Sequence, residues 1–121
     1  MPTADQARKY LKASYQGQIV ITPRQAIEIA SAMYCVPPDV IIDQNRSVRN
    51  IRSIAYLIAA VFCEESIAEI ARQFERYHAT VMRSIVESFD RLENNLTFRS
   101  HWTFAVGDIE RRLKLAKVQR N

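Results

Sequence analysis

SIAEIARQFERYHATVMRSIV, residues 66–86, decides how this chain is read. Ser66 and Glu69 stand in capping-box register, and Ile67, Ile70, Ala71 and Phe74 form the apolar stripe of a helix only about two turns long. The pattern breaks at Glu75, Arg76 and Tyr77. It resumes with Val81, Ile85, Phe89, Leu92 and Leu96, the spacing of one long amphipathic helix over 78–96. A short capped helix, a tight break and a second helix whose inward residues begin only at Val81 is the layout of a helix-turn-helix. In that motif the second helix offers its N-terminal residues to a DNA major groove.

That layout leaves Tyr77, His78, Ala79 and Thr80 at the tip, with Arg76 and Arg83 nearby for phosphates. His and Thr side chains hydrogen-bond base edges, alanine and the threonine methyl meet a thymine methyl, and arginine serves a phosphate or forks onto guanine. Two-helix corners also occur throughout helical proteins, and an exposed His or Tyr is often ordinary surface, so pattern alone leaves a plain structural corner open beside the DNA reading.

Outward from this corner the chain reads as all-α, a single domain over 1–121. Two glycines, Gly17 and Gly107, leave no glycine-rich loop to cradle a phosphate, which excludes a P-loop or dinucleotide fingerprint. Few alternating β-branched runs occur, and helices joined by short turns are expected. The spacing predicts a first helix over 4–16, with Ala7, Tyr10, Leu11 and Tyr15 inward and Gly17 as its stop. A second follows over 23–35, with Thr22 as cap, Pro23 at its first position and Gln25 closing a capping box. The double proline of VPPDVIID ends it and seeds a short turn of helix over 38–42.

Ser47 is the expected cap of a third helix over 48–63, with Ile51, Ile54, Ala55, Ile58, Val61 and Phe62 inward. Arg49 and Arg52 in its first turn, and Arg46 just before it, oppose the helix dipole by about 0.3–1 kcal/mol each. Either something other than local helix stability keeps them there, or the three are a plain solvated face. A last helix is expected over 101–118, with Trp102, Val106, Ile109, Leu113 and Ala116 inward and His101 at its start.

The net charge of +4 favours anionic partners. Cys35 and Cys63 form no CxxC pair and have no His at metal spacing, so reduced, mostly buried thiols are expected rather than a disulfide or a zinc site. The longest apolar run, IAYLIAAVFC at 54–63, is about half a bilayer span, and MPTADQARKYLK has no apolar signal region. Neither histidine has a Ser, Cys or carboxylate partner at a spacing that suggests a triad, a dyad or a metal site. No enzyme activity, cofactor, metal, nucleotide or membrane partner is expected, and a cytoplasmic, nucleoid-associated location is.

The stretch over about 24–90 resembles the C-terminal DNA-binding domain of DnaA, the bacterial chromosomal replication initiator, an all-α, Trp-repressor-like fold. The resemblance rests on VPPD against Val-x-x-Asp and on RSVRNIR against a basic loop with Arg-Ser-Val. It rests further on SIAEIARQF against Ser-Leu-x-Glu-Ile-Gly-x-x-Phe, and on RYHATV against Arg-Asp-His-Thr-Thr-Val. It implies a core over about 24–96, to which the helices at 4–16 and 101–118 are additions.

It also implies that His78, Ala79 and Thr80 read bases, that Arg76 is the signature arginine, and that Ser66 meets a backbone phosphate. Arg46, Ser47, Arg49 and Arg52 then correspond to the basic loop that reaches the minor groove and phosphates. The chain departs from the pattern at Glu75, where the family has Gly-Gly, at Tyr77 for aspartate, at Ala79 for threonine, and in a shorter loop with Gln44 and Asn45. A different base sequence is therefore expected to be read.

The expected function is sequence-specific binding of double-stranded DNA by a stand-alone regulator of transcription or replication initiation without an ATPase module. The terminal helices are candidates for a homodimer face. The competing reading is a helical adaptor that keeps the fold and binds a protein through a corner flanked by Glu64, Glu65, Glu69 and Glu75 or through the final helix. A continuous positive strip joining the arginines favours the first, and its interruption by those glutamates favours the second.

Overall fold

The computed structural model describes residues 2–15, 19–43 and 49–120, with side chains to residue 112. Among the described residues there are seven helices and no strand: α1 (Ala4–Ser14), α2 (Pro23–Tyr34), α3 (Pro38–Ile42), α4 (Arg49–Phe62), α5 (Ile67–Gln73), α6 (His78–Asn94) and α7 (Leu96–Arg120). None of the helices is long and apolar enough to cross a membrane.

α4 is the axis of the molecule and packs against each of the other six helices. From Ser53 to Phe62 every residue is buried, and all after Ser53 belong to the hydrophobic core, as suits a central helix. Each fully buried Leu or Ile there, such as Leu57 and Ile58, contributes about 1.5–3 kcal/mol. Val81 and Ile85 of α6 and Ile67 and Ile70 of α5 are buried in the same core.

Local sequence sets the helix ends. Thr22 and Gln25 form the expected capping box at α2, and Thr3 and Gln6 form another at α1. α2 and α5 end in the same way. Cys35 takes φ 53°, its N–H donating to Ala32 O and the Val36 N–H to Ser31 O. Glu75 takes φ 55°, its N–H donating to Arg72 O and the Arg76 N–H to Ala71 O. Both are Schellman turns with a left-handed residue that is not glycine.

Several expectations need correction. α1 stops at Ser14, and Tyr10 is 64% exposed, standing edge-on to the half-buried Phe89 rather than inside the core. Cys35 is exposed because it is the left-handed end of α2; only Cys63 is buried. The long helix ends at Asn94, and α7 begins at Leu96 rather than at 101, because Asn95 is extended at φ −133° and accepts the Phe98 N–H on its side chain. Leu96, on the far side of that break, is 74% exposed, whereas Phe98 and Ala105 join Trp102 and Ile109 in the core. The side chains of Leu113 and Ala116, and Gly17, Gln44, Asn45, Arg46 and Ser47, lie outside the described residues.

Candidate nucleic-acid interface

One face of α4 carries Arg49, Arg52 and the buried Ser53 and Tyr56, and one face of α6 carries Thr80, Arg83, Ser84 and Glu87. Each set has the spacing i, i+3, i+4, i+7, which puts four side chains on one side of a helix. The two faces converge on a cleft of about 560 Å³, and Arg76 from the α5–α6 turn joins them there. Four arginines thus line one cleft with a single carboxylate, Glu87. An adjoining cleft shares Arg52, Arg76 and Thr80 and adds Arg72, Glu75 and Tyr77.

The arginines are used differently. Arg49 is mostly exposed and makes only a 3.6 Å contact to Glu87, a distance held by charge rather than by a hydrogen bond. Arg83 is exposed. Arg76 is half-buried, its Nη1 donating to Glu75 O at 3.2 Å, while its Nη2 is buried with no partner of hydrogen-bond geometry. Burial raises the pKa of the Tyr56 phenol, and the nearby charges of Arg76 and Arg52 oppose that rise, as does a side-chain approach of Arg76 to the phenol that falls short of full hydrogen-bond geometry.

Arg52, expected in the basic loop that reaches phosphates, also has a structural task. Its Nε donates to Ile41 O at 3.0 Å and its Nη2 to Asp43 O, so its guanidinium ties α4 to the end of α3. It still lends its charge to the cleft.

Beside the clefts, the start of α6 is open. Tyr77, its N-cap, is 84% exposed, and His78, Ala79 and Thr80 are exposed in the first turn. Of these, Thr80 lines both clefts and Tyr77 the second; His78 and Ala79 line neither. Ser66 is exposed, and its hydroxyl accepts the Glu69 N–H at 3.1 Å. The capping box expected there is half formed, because the Glu69 carboxylate accepts from Arg72 and Gln73 instead.

The acidic residues of the corner are largely occupied. Hydrogen bonds from Arg72 and Gln73 hold the Glu69 carboxyl down at about 2. Glu64 and Glu65 act on Lys12, and Glu65 on Arg8, at the opposite end of α4. Among the described residues no cluster of His, Cys, Asp or Glu is placed to hold a metal ion.

Sequence reasoning missed Ser53, Tyr56, Ser84 and Glu87. The signal was present: Arg-Ser recurs at 52–53 and 83–84, each within the same four-residue polar spacing. Comparison of the chain with protein families, with curated proteins and with solved structures finds no match in any of the three.

Proposed function

We propose that this protein binds double-stranded DNA in a sequence-dependent way, through the first turn of α6 and the cleft beside it, and regulates transcription or replication initiation. The observation that carries the reading is the convergence of Arg49, Arg52, Arg76 and Arg83 on one cleft next to the open residues Tyr77, His78, Ala79 and Thr80. Phosphate contacts fix register on a duplex, and base contacts supply sequence preference. The arginines suit the first task. His78 and Thr80 suit the second, with Ala79 available to a thymine methyl.

Two further points support this reading over the adaptor. Glu69 is paired with Arg72, and Glu64 and Glu65 act at the far end of α4, so of the four corner glutamates only Glu75 stands beside the arginines. The resemblance of residues 24–90 to the DnaA C-terminal domain assigns Arg49, Arg52, Arg76, His78, Ala79 and Thr80 of this set to DNA. On that resemblance the α5–α6 corner is the helix-turn-helix, with α6 as recognition helix. Left-handed Glu75 occupies the turn where the family has glycine.

Selection of bound duplexes from a random pool at fixed salt tests the proposal. A recurrent sequence is expected to be enriched, and His78→Ala or Thr80→Ala is expected to relax preference at one position by about 1–3 kcal/mol. No enrichment over non-specific binding, together with unchanged preference in both variants, would leave the adaptor as the better account.

A further inference from the structure

An arginine N–H buried without an acceptor is costly, and native structures rarely leave one so. Arg76 Nη2 is the one buried side-chain nitrogen or oxygen in that condition among the described residues. It belongs to a side chain that lines the cleft between α4 and α6, where the Tyr56, Thr80 and Ser84 hydroxyls and the Arg49 and Arg83 guanidiniums also stand. The cleft holds one acidic group, Glu87, and that group faces Arg49 at 3.6 Å.

We infer that this cleft is a socket for a single phosphate group, with Arg76 as its central donor, and that Glu87 is a built-in competitor which the phosphate displaces from Arg49. A rotation of the half-buried Arg76 guanidinium into the cleft it already lines gives Nη2 its acceptor. A tetrahedral oxyanion fits the donor set, because its oxygens spread over several directions while arginine presents a rigid fork to two of them. Hydroxyls from Ser84 and Thr80 then serve the remaining oxygens. Glu87 offers the arginines only a weak pairing: both partners are substantially exposed, at 78% for Arg49 and 46% for Glu87. Such pairs contribute little in water, so a phosphate oxyanion that meets several arginines at once supplants it readily.

The inference deepens the DNA reading and rests on it only for the owner of the phosphate, the duplex backbone. A free phosphorylated small molecule presents the same chemistry. Titration of the whole protein with inorganic phosphate against chloride at constant ionic strength, followed through arginine Nε–Hε NMR signals, separates these. Saturable shifts at Arg76 and Arg83 are expected. Arg76→Lys keeps the charge and loses the fork, and is expected to weaken phosphate binding at least ~10-fold. Glu87→Gln removes the competitor at an exposed position and is expected to tighten it about threefold.

Non-saturating shifts spread over all arginines, or equal phosphate affinity in the wild type and both variants, would overturn the socket. A duplex that competes with phosphate at Arg76 identifies the backbone as the owner. Saturable phosphate binding without any duplex binding would keep the socket and reject the DNA reading. Duplex binding indifferent to Arg76→Lys and to Glu87→Gln, with no saturable phosphate binding, would do the reverse.

Discussion

The two ends of α4 both gather cations, and they use them in opposite ways. At the C-terminal end Arg8 donates to the Ala60 and Cys63 carbonyls, each at 2.8 Å, and Lys12 to the Val61 and Cys63 carbonyls at 3.1 and 2.6 Å. The Ile21 N–H meets Phe62 O at 3.0 Å. Helix-end carbonyls lack internal partners and carry partial negative charge, so these cations stabilise the end they cap. Burial lowers the pKa of both Arg8 and Lys12, and the carbonyls compensate with direct hydrogen bonds. At the N-terminal end Arg49 and Arg52 face the dipole the wrong way, with Arg76 added from the α5–α6 turn and Arg83 from α6. At the first end both cations are spent on carbonyls of α4 itself; at the second only Arg52 is spent on backbone carbonyls, and Arg49 and Arg83 stay exposed.

Four variants break or sharpen that contrast. The largest effect is expected from combining Arg49→Glu with Arg83→Glu, which should lower duplex affinity at least ~100-fold at moderate salt by removing phosphate contacts and adding repulsion. The unfolding free energy should stay within about 0.5 kcal/mol, as for exposed surface changes generally. Anisotropy titration and urea denaturation together would show it, and a stability loss larger than the binding loss would erase the distinction between the two ends.

Arg8→Ala is the mirror experiment. It leaves Ala60 O at the end of α4 without its charged donor and Cys63 O with Lys12 alone, and should cost about 2 kcal/mol in urea denaturation, with duplex affinity unchanged. A fall in duplex affinity at full stability would place the anion site at the wrong end.

Glu75→Gly acts on the turn that delivers Arg76. A left-handed residue with a Cβ carries about 1–2 kcal/mol of strain, and glycine returns part of this as chain entropy. A gain of up to ~1 kcal/mol is expected in thermal melts. A lower midpoint would mean that the Glu75 side chain contributes more than its backbone costs.

The smallest effect concerns Glu69, whose carboxyl is held at about 2 by hydrogen bonds from Arg72 and Gln73. A carboxyl depressed in the folded state contributes stability that is complete above its unfolded value near 4.5 and is lost as pH falls towards 2. The difference in stability between the wild type and Glu69→Gln should therefore be constant at neutral pH and shrink across that acid window. A constant gap at every pH would show that the carboxylate charge is not what matters.

Much of the fold was legible because it is written in short-range signals. Thr22, Pro23 and Gln25 mark the start of α2, and Ser66 the start of α5, since caps depend on residues three apart. Asn95 was less legible: it ends one helix and caps the next within a run of polar residues that continues the amphipathic pattern, so 78–96 read as unbroken. The exposure of Cys35 followed from a left-handed turn that no glycine announced. At the site, the open first turn of α6 was legible from where its apolar residues begin. The fate of Arg52 was not, because its acceptors are backbone carbonyls of Ile41 and Asp43, set by how α3 packs on α4.

The central claim, that cations at the two ends of α4 have different purposes, is tested most directly by the salt dependence of duplex binding in Arg83→Gln and Arg8→Gln beside the wild type. Removing a phosphate-contacting arginine should flatten the slope of log affinity against log salt by about 0.9, and removing one spent on backbone carbonyls should leave it unchanged. The account therefore predicts a shallower slope for Arg83→Gln alone. Equal slopes in all three proteins, or a shallower slope for Arg8→Gln, would contradict it.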